Sequence, residues 1–255
     1  MALIRTEVSD HIAVVTMDAP PVNAVSTEFM EEMIAAIDRL NDLPDVRVAI
    51  VTGAGRCFSA GADIKGRLSR KDEAGAYWAH ARRAREMSWT LIENKKPIIA
   101  AINGPALGAG LGIAVSCDIL MASETASLGL PEVDVGLMGG GRHTMRVFGH
   151  SLTRRMMLTG YRVSGPELYR LGIVECCVPA EKLMEEAMKM ATTIASKSPI
   201  ATRMAKQAAQ TIEFMTLRDG YRFEQNLTHE LSRTEDAREA MTAFVEKRKP
   251  EFKGR

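Results

Sequence analysis

Residues 97–141 read PIIAAINGPALGAGLGIAVSCDILMASETASLGLPEVDVGLMGGG, and the rest of the chain is organised around them. The apolar run at 97–102 predicts a buried strand. Gly104, Ala106, Gly108, Ala109, Gly110 and Gly112 follow. Glycine at this density lets a backbone turn tightly and lets a ligand approach main-chain N–H groups closely. A helix is predicted from Gly108 towards Ser116. Its first N–H groups have no partner within the helix, which suits them to developing negative charge. A further strand pair is expected at 118–122 and 126–128. The turn Gly129-Leu130-Pro131-Glu132 then delivers one carboxylate. An anion-stabilising backbone with one carboxylate base is equipment for removing a proton next to a carbonyl.

On the N-terminal side, 3–7 and 12–17 read as two strands separated by Ser9-Asp10, and Pro20-Pro21 breaks the pattern. Ser26 predicts a helix N-cap with Glu28 in the first turn. Phe29, Met33, Ile37 and Leu40 recur on one helical face, and Pro44 ends it. The β-branched run 46–52 is a strand turned by Gly53-Ala54-Gly55, and 57–60 is a short strand. Residues 66–78 are polar without clean periodicity and read as a mobile segment, and 82–93 as a helix. Strand, strand, helix thus appears at 3–43, again at 46–93, and less regularly across 97–150. That pattern suggests stacked ββα units rather than a doubly wound βαβ sheet.

On the C-terminal side, 142–148 and 152–158 look helical, Ser164-Gly165-Pro166-Glu167 is a capping box, and 174–178 is a strand. Leu183, Ala187, Met190 and Ile194 mark another amphipathic helix. From Pro199 the chain reads as all helix, over 199–214, 217–231 and 234–247. The change near 196–199 is the candidate domain boundary.

Composition narrows the function. The 255 residues carry 33 basic and 32 acidic side chains, net +1, which gives no electrostatic case for nucleic acid or an anionic membrane as partner. No apolar leader or membrane span is legible. Cys57, Cys117, Cys176 and Cys177 match no zinc spacing and read as reduced thiols of a cytoplasmic protein. His11, His80, His143, His150 and His229 are scattered, and no metal site is expected. Gly108–Gly112 is GxGxG rather than the dinucleotide fingerprint, and no Walker A, HExxH, GxSxG or SxxK occurs.

Four segments together resemble the enoyl-CoA hydratase/isomerase (crotonase) family over essentially the whole chain. They are Phe58-Ser59-Ala60-Gly61-Ala62-Asp63-Ile64-Lys65; the stretch from Lys96 to Gly110 ending in Cys117-Asp118; Gly129-Leu130-Pro131-Glu132 with Gly136; and the tail from Ala243 to Pro250. The resemblance implies an α/β fold, a spiral of ββα turns (1–196) capped by a helical trimerisation region (197–255), assembled as a homotrimer or a hexamer. It implies an acyl-CoA substrate and no separate cofactor, since coenzyme A is part of the substrate. Two backbone N–H groups that hold the thioester oxygen map to Ala62 and Ala109, and the acid/base to Glu132. Ala60, Ala62, Asp63, Ile64 and Lys65 map to the wall of the CoA pocket, with Lys65 reaching a phosphate as a point charge. Phe244 and Lys247 map to residues that touch the CoA of an adjacent subunit.

The sequence departs from the family's hydratases at one decisive place. The position of their second glutamate is Gly112, which can neither orient water nor pass a proton. A single-base chemistry follows, isomerase-like or lyase-like, with hydration as the alternative and a catalytically weak acyl-CoA-binding protein as the alternative of another class. Arg142 and His143 stand where those hydratases usually carry glycines, and His143 is a candidate second acid/base. Asp134 would point the same way as Glu132 if that stretch were extended.

Overall fold

The computed structural model describes residues 2–68 and 73–255. Strands β1 (Ile4–Ser9) and β2 (Ile12–Met17) form an antiparallel hairpin, in register from Ile4↔Met17 to Ser9↔Ile12. Asp10 and His11 make its two-residue turn, both at positive φ, as a tight hairpin turn requires. β3 (Ala24–Val25) leads into α1 (Thr27–Asp42), whose cap Ser26 Oγ accepts the Phe29 N–H at 3.1 Å. Phe29, Met33, Ile37 and Leu40 are fully buried, so the apolar stripe read from the sequence is the core face. Burial of side chains this size contributes ~1.5–3 kcal/mol each.

The spiral continues through β4 (Val48–Gly53), β5 (Gly61–Ala62), α2 (Ile64–Leu68), α3 (Ala76–Ile92), β6 (Ile98–Ile102), β7 (Pro105–Leu107), α4 (Ala109–Val115), β8 (Ile119–Ser123) and β9 (Ser127–Gly129). A 3-10 turn, Pro131–Val135, precedes α5 (Gly141–Thr144), α6 (His150–Thr159), β10 (Arg162–Ser164), α7 (Gly165–Arg170), β11 (Cys177–Val178) and α8 (Ala180–Ala195). The strands of a turn go to different sheets. One sheet runs β1-β2-β4-β6-β8-β11, parallel beyond the hairpin; the others are β10-β9-β7 and β3-β5. Every residue of β6 is buried, as both faces of a covered parallel sheet demand. The α/β fold class expected from the sequence is the one observed.

Several local expectations are corrected. The strands expected at 118–122 and 126–128 form one residue later, as β8 and β9, and they do not pair with each other. Both edges of β8 are taken by β6 and β11, so β9 joins β7 and β10. The expected strand at 57–60 reduces to a bridge, Ser59↔Ala106, and pairing resumes at β5. The helix expected at 142–148 stops at Thr144, where successive N–H groups turn back onto the Thr144 carbonyl. The strand expected at 174–178 is only β11. Ser164 precedes α7 without a side-chain cap bond, and the Glu167 carboxylate is spent on Arg170. Of the segment expected to be mobile, 66–68 belongs to α2 and α3 already begins at Ala76; residues 69–72 lie outside the described residues.

Three helices follow: α9 (Pro199–Ile212), α10 (Leu217–Ser232) and α11 (Glu235–Glu246). Ser198, Thr216 and Thr234 cap them through side-chain oxygens. α9 is anchored on the spiral by Lys206. Its ammonium lies 2.8 Å from Asp118 Oδ2 and donates to the Leu91 and Lys96 carbonyls at 3.2 and 3.0 Å. Burial lowers the Lys206 pKa, and the Asp118 carboxylate holds it up against that. Among the described residues no helix is long and apolar enough to cross a membrane.

Candidate active site

Two glycines bring the site together. Gly108, at φ 54°, precedes α4, and a Cβ placed on it would stand 2.5 Å from Glu132 Oε1. The Glu132 carboxylate therefore lies directly on the loop that opens α4. Gly61, at φ 92°, packs its Cα against the same loop; a Cβ there would stand 2.6 Å from Leu107 O and 3.4 Å from Ala109 N. An L side chain would be strained at both positions and would push the three segments apart. The Gly108 N–H donates to Gly129 O at 2.9 Å, which ties the start of α4 to the turn carrying Glu132.

The backbone donors of this cradle follow from its secondary structure. Ala109 is the first residue of α4, and Gly108 provides no side-chain cap, so the Ala109 N–H has no partner within its helix. Just after β5, Asp63 N–H donates to Val25 O while Val25 stands opposite Ala62. That parallel alternation turns the Ala62 N–H away from β3. Ala62, Ala109 and Glu132 thus belong to the segments that meet at Gly61 and Gly108. Ala60 and Ala62 are exposed, and Asp63 Oδ1 accepts the Gly66 N–H at 3.0 Å, shaping the start of α2 with Ile64 and the exposed Lys65. Phe244 and Lys247, on α11 and its C-cap, face solvent, and α11 packs on α10.

Glu132 is half-buried, and its Oε2 is buried without a hydrogen-bond partner among the described residues. Burial pushes its pKa above the usual carboxylate value, against a weaker pull from a backbone hydrogen bond. A carboxylate left unsatisfied beside backbone donors is poised to take a proton. Asp134 does not share this position. The stretch is a 3-10 turn rather than extended, so residues two apart diverge, and the Asp134 carboxylate lies against Gly160 at the end of α6. Gly112 lies one helical turn beyond Ala109, and a Cβ there would meet nothing within 4 Å. The His143 pKa is lowered, chiefly by burial and then by Arg146 and Arg142.

Asn23 supports the cradle and is not legible as such in the sequence. It is buried, with positive φ, and its side-chain amide donates to the Ala54, Cys57 and Phe58 carbonyls while its Oδ1 accepts from Ala19 N–H. It shapes the loop that leads into β5. The nearest signal is its place just after Pro20-Pro21, where a turn needs an Asn that tolerates φ > 0.

Comparison with known proteins agrees with this architecture. Residues 7–255 match the model of the family described as enoyl-CoA hydratase/isomerase. The chain is 37% identical over 254 residues to a probable enoyl-CoA hydratase of Mycobacterium bovis, covering 98% of this chain and 97% of that one. It is 38% identical over 250 residues to a probable mitochondrial enoyl-CoA hydratase of Dictyostelium discoideum, covering 96% and 88%. The crystal structure of an enoyl-CoA hydratase from Bacillus anthracis superposes with a TM-score of 0.93 at 34% identity, covering 99% of this chain and 100% of that one. With the family model matched from Glu7 in β1 to Arg255, this protein belongs to the enoyl-CoA hydratase/isomerase family.

Proposed function

We propose that the protein acts on an acyl-CoA through an enolate, with the thioester oxygen held by the Ala62 and Ala109 N–H groups and Glu132 as the only base. The observation that carries this reading is the unsatisfied Glu132 Oε2 at the Gly108 cradle, with no carboxylate at Gly112. One base can remove a proton and return it elsewhere on the same enolate, which is a double-bond shift or a related lyase step. Hydration asks more, because a water must be held while a proton is delivered. Ala60, Asp63, Ile64 and Lys65 would line the CoA path. A panel of acyl-CoAs followed by mass spectrometry for double-bond shift, hydration, decarboxylation or hydrolysis tests the assignment.

Hydration is the second reading, favoured by the names of the relatives, which are hydratases. The two separate on one substitution. The open space at Gly112 accommodates a side chain, so Gly112→Glu is expected to raise crotonyl-CoA hydration relative to wild type. Wild-type hydration at ~100 s⁻¹ or more, above the usual enzyme median, would instead favour the second reading.

The assembly proposed is a trimer or a dimer of trimers, with Phe244 and Lys247 meeting a neighbour's CoA. Its support is the apolar surface left uncovered on the last helices, where Leu217, Phe244 and Val245 are 92%, 86% and 79% exposed. Light scattering after size exclusion is expected to give three or six chains; a fully active monomer would reject the shared site.

A further inference from the structure

The Glu132 chemistry leaves two adjoining cavities unused. One, of about 470 Å³, lies between α3, α5 and α9 and is walled by Trp89, Phe214 and His143. The other, of about 600 Å³, shares Arg146, Glu213 and Gln210 with it and reaches Ser116 at the end of α4. Both are of a size that holds a small molecule. The second cavity reaches the far end of α4, at Val115 and Ser116, and the first residue of that helix is Ala109. At ~1.5 Å per residue the path from Ala109 to Ser116 is about 10 Å, and Gly112 leaves open space along it. α5 packs on α4 and follows directly from the catalytic turn, with Leu137 N–H donating to Glu132 O at 2.9 Å and Gly140 seated against Leu130.

The chemistry of these cavities is that of donors awaiting an acceptor. Arg146 spends Nε and Nη2 on the Glu213 carboxylate at 2.9–3.1 Å, while its Nη1 is buried with no acceptor among the described residues. Arg142 is exposed, makes no hydrogen bond or ion pair among the described residues, and holds its guanidinium 5.5 Å from the Phe214 ring centroid. Of the two carboxylates at the first cavity, Glu213 is already paired with Arg146 and Glu93 is exposed.

We propose that the first cavity receives the far end of the acyl group, and that this end is a carboxylate recognised by Arg142 and Arg146. The inference rests on the acyl-CoA reading above. A planar guanidinium matches a carboxylate with two parallel hydrogen bonds, and Trp89 and Phe214 offer apolar walls for the methylenes before it.

Calorimetry on the assembled protein tests this with unreactive ligands: a saturated acyl-CoA ending in a carboxylate and one of equal length ending in a methyl group. The carboxylated ligand is expected to bind at least ~10-fold more tightly, the scale of a hydrogen bond to a charged group. In Arg142→Gln that ratio is expected to fall towards one, and in Arg142→Lys to be partly kept. Equal or tighter binding of the methyl-ended ligand, or a ratio unchanged in Arg142→Gln, overturns the inference while leaving the acyl-CoA reading standing. Binding of neither ligand overturns the acyl-CoA reading and this inference with it.

Discussion

Turnover of the Glu132→Gln variant is expected to fall at least ~100-fold, with acyl-CoA affinity held within a few-fold, the pattern of a lost general base rather than a lost binding contact. Glutamine keeps the size of the side chain and its seat against Gly108, so the cradle stays assembled. It removes only the group that accepts the proton. The pH dependence is a second readout of the same residue. Burial raises the Glu132 pKa above its ordinary 4.5. The base works deprotonated, so activity is present above that raised value and is lost as pH falls through it. Steady-state rates across the acid range check the sign: wild type should lose activity on acidification, and the residual rate of Glu132→Gln should not follow that titration. Undiminished turnover in the variant would remove Glu132 from the mechanism.

Lys206→Ala should cost about 3–5 kcal/mol of stability, the range for breaking a buried ion pair from one side. The Lys206 side chain is 4% exposed, and its ammonium serves Asp118 and two main-chain carbonyls that have come from α3 and the approach to β6. Truncation leaves the carboxylate without its cation and the carbonyls without that donor. Lys206→Met fills the same space with an apolar chain and is expected to lose less than a full truncation, since no cavity is created. Urea unfolding at a fixed protein concentration, so that assembly does not shift the midpoint, measures the difference. An alanine variant as stable as wild type would show that α9 is held on the spiral by its apolar contacts alone.

Much of this was legible in the chain. The spacing of Phe29, Met33, Ile37 and Leu40 gave α1 its buried face, and the apolar run before Asn103 gave β6. Periodicity, however, says that a segment is a strand and not which strand it meets. β8 and β9 were both readable as strands, yet their partners are chosen by which sheet edges remain open. The turn that carries Glu132 was readable, whereas the close approach of Gly61 to Leu107 O and Ala109 N appears only in the fold. The grouping of Trp89, Arg142 and Phe214 had no sequence signal, because each comes from a different helix or helix end and none is within a turn of another.

The order of strands in the large sheet, β1-β2-β4-β6-β8-β11, follows the order of the chain. Each new strand is laid beside the one most recently placed, as when Ile50 pairs with Val14, Ile99 with Ile50 and Ile119 with Ile99. No strand of this sheet must wait for a later one to be inserted between its neighbours. A nascent chain emerging from the ribosome at ~5–20 residues per second can therefore build the sheet progressively, with the template for each addition already made. Until β8 and β11 arrive, the growing edge is an unpaired, apolar parallel strand, the kind of surface on which chains aggregate. Lys206 is translated after all of them, so α9 can lock down only on a sheet that is already complete.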